Sequence, residues 1–303
     1  MTNLPFVSII VPVYNGEKVI GECIESLLNQ DYPKDKYEII VVDNNSKDKT
    51  AEVIKKYPVK YLLEDKIQSS YAARNTGIRN AKGEVIAFTD ADCVTEKLWL
   101  ISLVRFFEVN DYCVAGEVLE FPAKTFVEKF QKGTFAQKDK LLNSEYPFAP
   151  TANVAFKKEI FEKVGFFRDD LVSGGDADFT WRLSRQNYSI KFNKNACISH
   201  KNRTTVIGMY KQAKRYAFGA VCLSLEYPHM LERRKGFMVK LFNRFLFKLL
   251  IIFYRFFTFV FKKDKIYYLL EPFFMIVETY GYFTGEILGR KYIKGKKIIC
   301  PNE

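Results

Sequence analysis

The chain is 303 residues long, 48% apolar and 27% charged, which excludes extended disorder and suffices to bury a core without metal or disulfide staples. Its six cysteines are scattered and form no CxxC pair, which argues against a zinc ribbon or disulfide framework and fits reduced cytosolic thiols. The net charge of +12 calls for an anionic partner: nucleic acid, an anionic membrane or a phosphorylated substrate.

The opening MTNLPFVSIIVPVYNG has no basic region ahead of its apolar run, so no signal peptide is expected. Residues 6–13 are β-branched and apolar, end at Asn15-Gly16, and predict a strand buried on both faces. Val19, Ile20, Cys23, Ile24, Leu27 and Leu28 then recur at helical spacing, predicting a helix over about 17–29. A second buried strand is expected at 38–42, running into Asp43-Asn44-Asn45-Ser46. A helix from about Thr50, a strand at 59–63 and a helix around 70–81 follow. A fourth strand at 84–88 ends in Thr89-Asp90-Ala91-Asp92. Short strands alternating with helix-length segments predict βαβ units and an α/β domain with a mainly parallel sheet flanked by helices. Such sheets bind ligands at the carboxyl ends of their strands. Tyr14, Asp43, Asp90 and Asp92 all fall at such ends.

The residues after the first strand read PVYNGEKV, with no GxGxxG, and no GxxxxGK[ST] occurs anywhere, so nicotinamide and P-loop chemistry are not expected. The Asp-x-Asp at 90–92 suits a hard divalent cation whose remaining ligands are phosphate oxygens and water. In a surface turn the same pair more often caps or is solvated. Asp43 likewise has a capping alternative, since DNNS is good turn chemistry.

Taken in order, VSIIVPVYNGEKVI, SLLNQDYPKDKYEIIVVDNNSKDKT, AARNTGI, GEVIAFTDADC, TANVAFKKEIFEKVGFF, GGDADFTWRL and ISHKNRTT resemble glycosyltransferase family 2 over about residues 6–220. The resemblance implies a GT-A fold, a Rossmann-like mixed sheet of the nucleotide-diphospho-sugar transferases, and an inverting glycosyltransferase. It implies that Pro12, Tyr14 and Glu17 shape the nucleoside pocket and that Asp43 accepts a hydrogen bond from the base. Arg74 would face the diphosphate, and Asp90 and Asp92 would hold Mn²⁺ or Mg²⁺ against it, with His200 as a further metal ligand. Asp176 would be the catalytic base, with Asp178 as the rival carboxylate. Gly175 departs from the commonest Glu-Asp-x-Asp form of the motif. KQAKRY at 211–216 loosely echoes the QxxRW of processive members, with Tyr216 in place of Trp. Gln212 and Arg215 would face the acceptor or diphosphate, or else lie on a solvated helix.

Residues 230–303 hold 15 Lys and Arg against 6 Asp and Glu, a net of +9, and 18 of the 48 aromatics. Composition therefore divides the chain into a domain over 1–229 and a basic, Phe-rich amphipathic helical tail over 230–303. Within the first, 1–100 would form the nucleotide-sugar half and 101–229 the acceptor half. At about 100° per residue, Arg233, Lys240, Arg244, Lys248, Arg255 and Lys262 share one stripe of a helix over 236–261. Cations at mid-helix disfavour a bilayer span, and a helix lying in the interface of an anionic membrane fits better. In a competing arrangement the tail folds as a hairpin across a turn near 263–266, and Glu271, Glu278 and Glu286 meet the cations.

These features lead to an expected metal-dependent transferase at the cytoplasmic face of the cell membrane. It would take a nucleotide-sugar, a UDP-sugar by preference, to a saccharide or lipid-linked acceptor of cell-envelope synthesis. A polyprenyl-phosphate glycosyltransferase is the alternative within the class. A basic nucleic-acid-binding or non-catalytic nucleotide-sugar-binding protein is the alternative outside it. The basic residues track a Phe-rich helix and no RNA-binding motif appears, so nucleic acid is not expected as a partner.

Overall fold

The computed structural model describes residues 4–133, 147–227, 236–258 and 265–295. The chain forms two compact units. The first comprises Met1–Phe121, Gly133–Leu171 and Gly175–Lys201; the second comprises Pro122–Lys132, Val172–Gly174 and Asn202–Glu303.

The first unit is built on β1 (Val7–Val13), β2 (Tyr37–Asp43), β3 (Lys60–Leu63), β4 (Val85–Thr89), β5 (Cys93–Thr95), β6 (Cys113–Glu120), β7 (Asn153–Lys157) and β8 (Ile190–His200). They form one sheet in the order β3-β2-β1-β4-β7-β6-β8-β5. β1 is parallel to β2 and β4, and β2 is parallel to β3. β7 runs antiparallel to both β4 and β6, which makes the sheet mixed. Every residue of β1 is buried, as expected of a β-branched strand covered on both faces. Around the sheet lie α1 (Ile20–Leu28), α2 (Thr50–Ile54), α3 (Ser70–Asn80) and α4 (Trp99–Arg105). In the second unit α5 (Phe126–Phe130) opens on a capping box between Thr125 and Glu128. α6 (Ile160–Val164) and α7 (Gly175–Arg185) belong to the first unit. α1 turns Ile20, Cys23, Ile24 and Leu27 onto the core, the face its spacing predicts.

Strand order reverses between β1 and β4. β1 connects outward to β2 and β3 on one side, and the chain then returns to the other side of β1 as β4. That reversal leaves a crevice at the carboxyl ends. The β1–β4 ladder stops at Ile10↔Phe88, short of Pro12, which has no N–H to donate.

The second unit holds α8 (Val206–Leu223), α9 (Phe237–Thr258) and α10 (Lys265–Gly295). α10 lies close against α8 along Gly281, Gly285 and Gly289. A Cβ at Gly285 would stand 2.1 Å from the Lys214 carbonyl oxygen, and one at Gly281 2.7 Å from that of Tyr210. The compact units consequently divide at 201/202 and not at 229/230, because α8 packs with the tail helices. Val127, Met209 and Phe274 form a small core there.

α9 and α10 pair antiparallel. Arg255 bonds Glu271 at 2.5 Å and the Tyr268 carbonyl at 3.1 Å, while Lys248 donates to the Met275 carbonyl and Thr279. Two cations of the expected headgroup stripe thus face α10, where a carboxylate and backbone oxygens compensate their loss of water. Of the acidic stripe, Glu286 pairs within its own helix with Arg290 at 2.8 Å. Arg233, Lys262, the side chain of Arg244 and residues 263–264 of the expected turn at 263–266 lie outside the described residues. Val239, Phe242, Leu246, Phe247, Leu250 and Tyr254 are exposed along α9. No helix among the described residues is long and apolar enough to cross a membrane.

Candidate active site

Two loops rim the crevice, and each braces the other. Asn15, at a left-handed φ of 50°, receives the Lys47 N–H on Oδ1 at 2.8 Å and donates its own N–H to Ser46 Oγ at 2.8 Å. Gly16 N–H reaches Thr50 Oγ1 at 2.8 Å, and Glu17 N–H reaches Asp48 Oδ2 at 3.1 Å. Glu17 Oε2 accepts from Lys49 N at 3.0 Å. Glu17 therefore works as a strut between loops. Pro12 is buried in β1 opposite Val42. Tyr14 is 51% exposed, so it is not a core residue and its ring is open to a ligand. Asp43 is only 2% exposed; Oδ1 accepts from Ser46 N at 2.9 Å and Oδ2 from the Tyr61 hydroxyl at 3.2 Å. The capping alternative is the geometry found: Asp43 fixes its own turn.

Arg74 lies on the first turns of α3, beneath Asp90. It is 4% exposed, and its Nη2 stands 2.5 Å from Asp90 Oδ1. Nη1 donates to the Ser70 carbonyl at 3.3 Å, and Nε is buried without a hydrogen-bond partner. The guanidinium is thus engaged with Asp90.

β5 pairs with β8 in the register Cys93↔His200, which sets Asp92 beside the imidazole. His200 Nε2 is 3.4 Å from Asp92 Oδ1. One ligand atom each from Asp92, Cys93 and His200 lie within 4.8 Å of one another. Burial, with Asp92 and Asp90 adding to it, raises the Cys93 thiol well above its usual range, and a soft sulfur is the least suited of the three to a hard ion. The remaining pair, one carboxylate and one imidazole, fits a hard or borderline divalent ion that takes further oxygens from a ligand and water. Asp90 stands outside this group and is held by Arg74.

Asp176 lies in the first turn of α7. Its Oδ1 accepts from Ala177 N at 3.1 Å and from the Tyr71 hydroxyl at 3.3 Å. Burial raises its carboxyl above the usual range; the Arg74 charge opposes that, and the Asp90 charge adds to it. Asp176, Arg74 and Asp90 are therefore one electrostatic group. Asp178 is a different case. It is 1% exposed and bonds Arg182 Nε at 2.9 Å, while Arg182 also donates to the Val164 and Phe166 carbonyls. That carboxylate joins α7 to the segment after α6.

The sequence profile of glycosyl transferase family 2 matches residues 8–165. The chain belongs to that family. Glycosyltransferase AglE of Haloferax volcanii is 38% identical over 199 residues, which cover 63% of this chain and 65% of AglE. Dolichyl N-acetyl-alpha-D-glucosaminyl phosphate 3-beta-D-2,3-diacetamido-2,3-dideoxy-beta-D-glucuronosyltransferase of Methanococcus voltae is 28% identical over 237 residues, covering 70% of this chain and 71% of that one. The chain spans about two-thirds of the length of these relatives. The mannosyltransferase PcManGT from Pyrobaculum calidifontis, solved with GDP-Man and Mn²⁺, superposes with a TM-score of 0.63 at 18% identity, covering 93% of this chain and 88% of that one. The fold is GT-A.

In this family 2 chain the first unit carries Tyr14, Asp90, Arg74, Asp92, His200 and Asp176 on elements that start or end at the carboxyl edge of the sheet. Gln212 is not among them. It is buried in the second unit against Gln131, whose Nε2 donates to Gln212 Oε1 at 2.9 Å. Arg215 is exposed there and stacks over Tyr216. Sequence reasoning missed Tyr71, a buried tyrosine one helical turn before Arg74. It also missed Ser46, Asp48 and Thr50 as loop braces, although the capping residues of DNNSKDKT were the available signal.

Proposed function

We propose that this glycosyltransferase moves a sugar from a UDP-sugar to a membrane-associated saccharide or lipid-linked acceptor by a single inverting displacement. The observation that carries the reading is the shared environment of Asp176, Arg74 and Asp90. A carboxylate raised by burial lies within electrostatic reach of a buried guanidinium that itself holds the first Asp of the Asp-x-Asp turn. Asp176 takes the proton of the acceptor hydroxyl. That oxygen attacks the anomeric carbon, and the bond to the donor's diphosphate breaks with its electron pair leaving on the nucleoside diphosphate. Arg74 fixes Asp90 and lends positive charge beside the leaving group. Tyr14 offers an open ring to the base, and Asp43 shapes the pocket from beneath through the turn it caps. Asp92 and His200, with Asp90 next to them, would hold Mn²⁺ or Mg²⁺, which when bound neutralises charge on the diphosphate.

The acceptor class is supported by the Methanococcus voltae relative, whose name specifies a dolichyl-phosphate-linked sugar. The exposed apolar stripe of α9 suits a lipid surface. A panel of UDP- and GDP-sugars with Mn²⁺ and membrane lipid extract, read as nucleoside diphosphate release, tests the reading. Release from a UDP-sugar that requires both the metal and the lipid is expected. Release that ignores the metal removes the cation from the scheme, and release from GDP-sugars alone overturns the donor assignment.

A further inference from the structure

We infer that Tyr71 is a positioning residue for Asp176, its hydroxyl and the bare α-carbon of Gly175 together setting where the carboxylate points. The inference rests on the reading of Asp176 as the base.

Four observations converge on it. First, the Tyr71 hydroxyl donates to Asp176 Oδ1 at 3.3 Å across 105 residues of chain. Burial, and then the charge of Asp176, hold that hydroxyl far above its usual pKa, so it remains a donor at every working pH. Second, the ring fills the space that a side chain at 175 would need. A Cβ built on Gly175 would lie 2.9 Å from three ring carbons of Tyr71. The departure of GGDADF from the commoner Glu-Asp-x-Asp pattern therefore has a steric cause on another helix: a glutamate at 175 and a tyrosine at 71 compete for one volume.

Third, the ring is clamped. It stacks on Phe167 with centroids 6.1 Å apart at 29°, and the Arg74 guanidinium lies 5.6 Å from its centre. Fourth, the backbone on both sides of the ring is pinned. Asn75 Nδ2 donates to the Phe167 carbonyl at 2.8 Å and its Oδ1 accepts the Phe167 N–H at 3.1 Å. Ser69, which caps α3 by accepting from Tyr71 N, also donates Oγ to the Leu171 carbonyl at 3.1 Å. The start of α3 is thus stapled to the segment leading toward α7. The hydroxyl reaches Asp176 as part of a fixed frame, which is what a base needs to meet an acceptor proton at a set distance.

The groups facing Asp176 are Tyr71 and Arg74 from α3 and Asp90 after β4; on its own helix Asp178 is turned to Arg182. Removing the hydroxyl takes one donor from the ionised carboxylate, so its pKa rises.

The test compares Tyr71→Phe, Gly175→Ala and Asp176→Asn with wild type. The readout is UDP or GDP release at saturating Mn²⁺ across pH 5–9, using whichever of UDP-glucose, UDP-N-acetylglucosamine and GDP-mannose the wild type turns over fastest with lipid extract. Tyr71→Phe should lower kcat about tenfold, the order expected for one hydrogen bond to a charged group. It should also move the acidic limb of the pH profile upward, with donor KM, Mn²⁺-dependent UDP affinity and melting temperature near wild type. Gly175→Ala displaces the ring and should move the limb the same way. Added to Tyr71→Phe, it should move the limb no further, because the hydroxyl is already gone. If Tyr71→Phe keeps the wild-type kcat and acidic limb while Asp176→Asn is inactive, Tyr71 only packs; the inference is overturned and the base assignment stands. If Asp176→Asn keeps full turnover, the base assignment falls and this inference falls with it.

Discussion

Asp176 and Asp178 lie two residues apart in the same helical turn, yet their environments assign them opposite duties. Asp178→Ala removes the carboxylate that holds Arg182. The Asp is 1% exposed and the Arg side chain 23%, so the pair is largely desolvated. Breaking a fully buried pair costs about 3–5 kcal/mol. Arg182 keeps two backbone carbonyl acceptors and some water, which reduces the expected loss to about 2–4 kcal/mol by the same reasoning. For a domain of this size that is a fall of roughly 5–15 °C in melting temperature. Asp176→Asn should do the reverse. It removes a desolvated charge while keeping the side chain's shape, so thermal stability at neutral pH is held or slightly raised. Turnover should fall about 10²–10⁴-fold, the range for loss of a general base. Calorimetric melting of both variants, followed by nucleoside diphosphate release at a temperature where both are folded, checks the pair. If Asp178→Ala melts like wild type and is inactive while Asp176→Asn turns over normally, the two roles are reversed and the electrostatic argument fails.

The raised Asp176 carboxyl has a pH signature: the folded state keeps this proton to higher pH than the unfolded chain. Its contribution to stability is therefore fully present below about pH 4, the unfolded value, and is lost as pH rises through the higher folded value. The stabilising effect of Asp176→Asn should accordingly appear at neutral pH and vanish in melts near pH 3.5. His200→Ala should weaken Mn²⁺-dependent UDP binding in titration calorimetry while leaving metal-free binding unchanged; equal binding in both conditions would exclude the Asp92–His200 pair as the ion's seat. Gly285→Ala sets a methyl 2.1 Å from a backbone oxygen that cannot rotate away, so α8 and α10 must separate, at a cost of about 1–3 kcal/mol or more in thermal melts. On α9, replacing Phe242, Phe247 and Leu250 by Ser should reduce co-sedimentation with anionic vesicles at unchanged melting temperature, whereas Arg255→Gln should lower the melting temperature with little change in vesicle binding. The opposite pattern would restore the headgroup role of that cation.

Within residues 6–89, β1, β2 and α1 were legible because each carries a local signature. β1 and β2 are continuous β-branched runs, and α1 repeats its apolar residues at 3.6. The ends of β1, β2 and β4 were legible for the same reason, and with them Tyr14, Asp43 and Asp90 as residues at one sheet edge. The resemblance added Asp176 and His200, which no local pattern links to that edge.

The tail shows where local pattern stopped being sufficient. A helical wheel placed Lys248 and Arg255 on one stripe, and the wheel was right. It could not say what faces the stripe, because the partner, Glu271, belongs to another helix and a helix has no preference of its own for lipid headgroup over carboxylate. Similarly, Gly281, Gly285 and Gly289 are spaced every four residues in the sequence, but only α8 lying against them turns that spacing into a contact.

Local sequence thus determined periodicity, strand ends and residue chemistry, which depend on neighbours within a few positions. Tertiary structure decided pairings between distant segments: Arg74 with Asp90, Asp92 with His200, Asp178 with Arg182, and Tyr71 with Asp176 and Gly175. Those pairings set which carboxylates are desolvated and which are neutralised, since charge and burial act through space and take no account of separation along the chain.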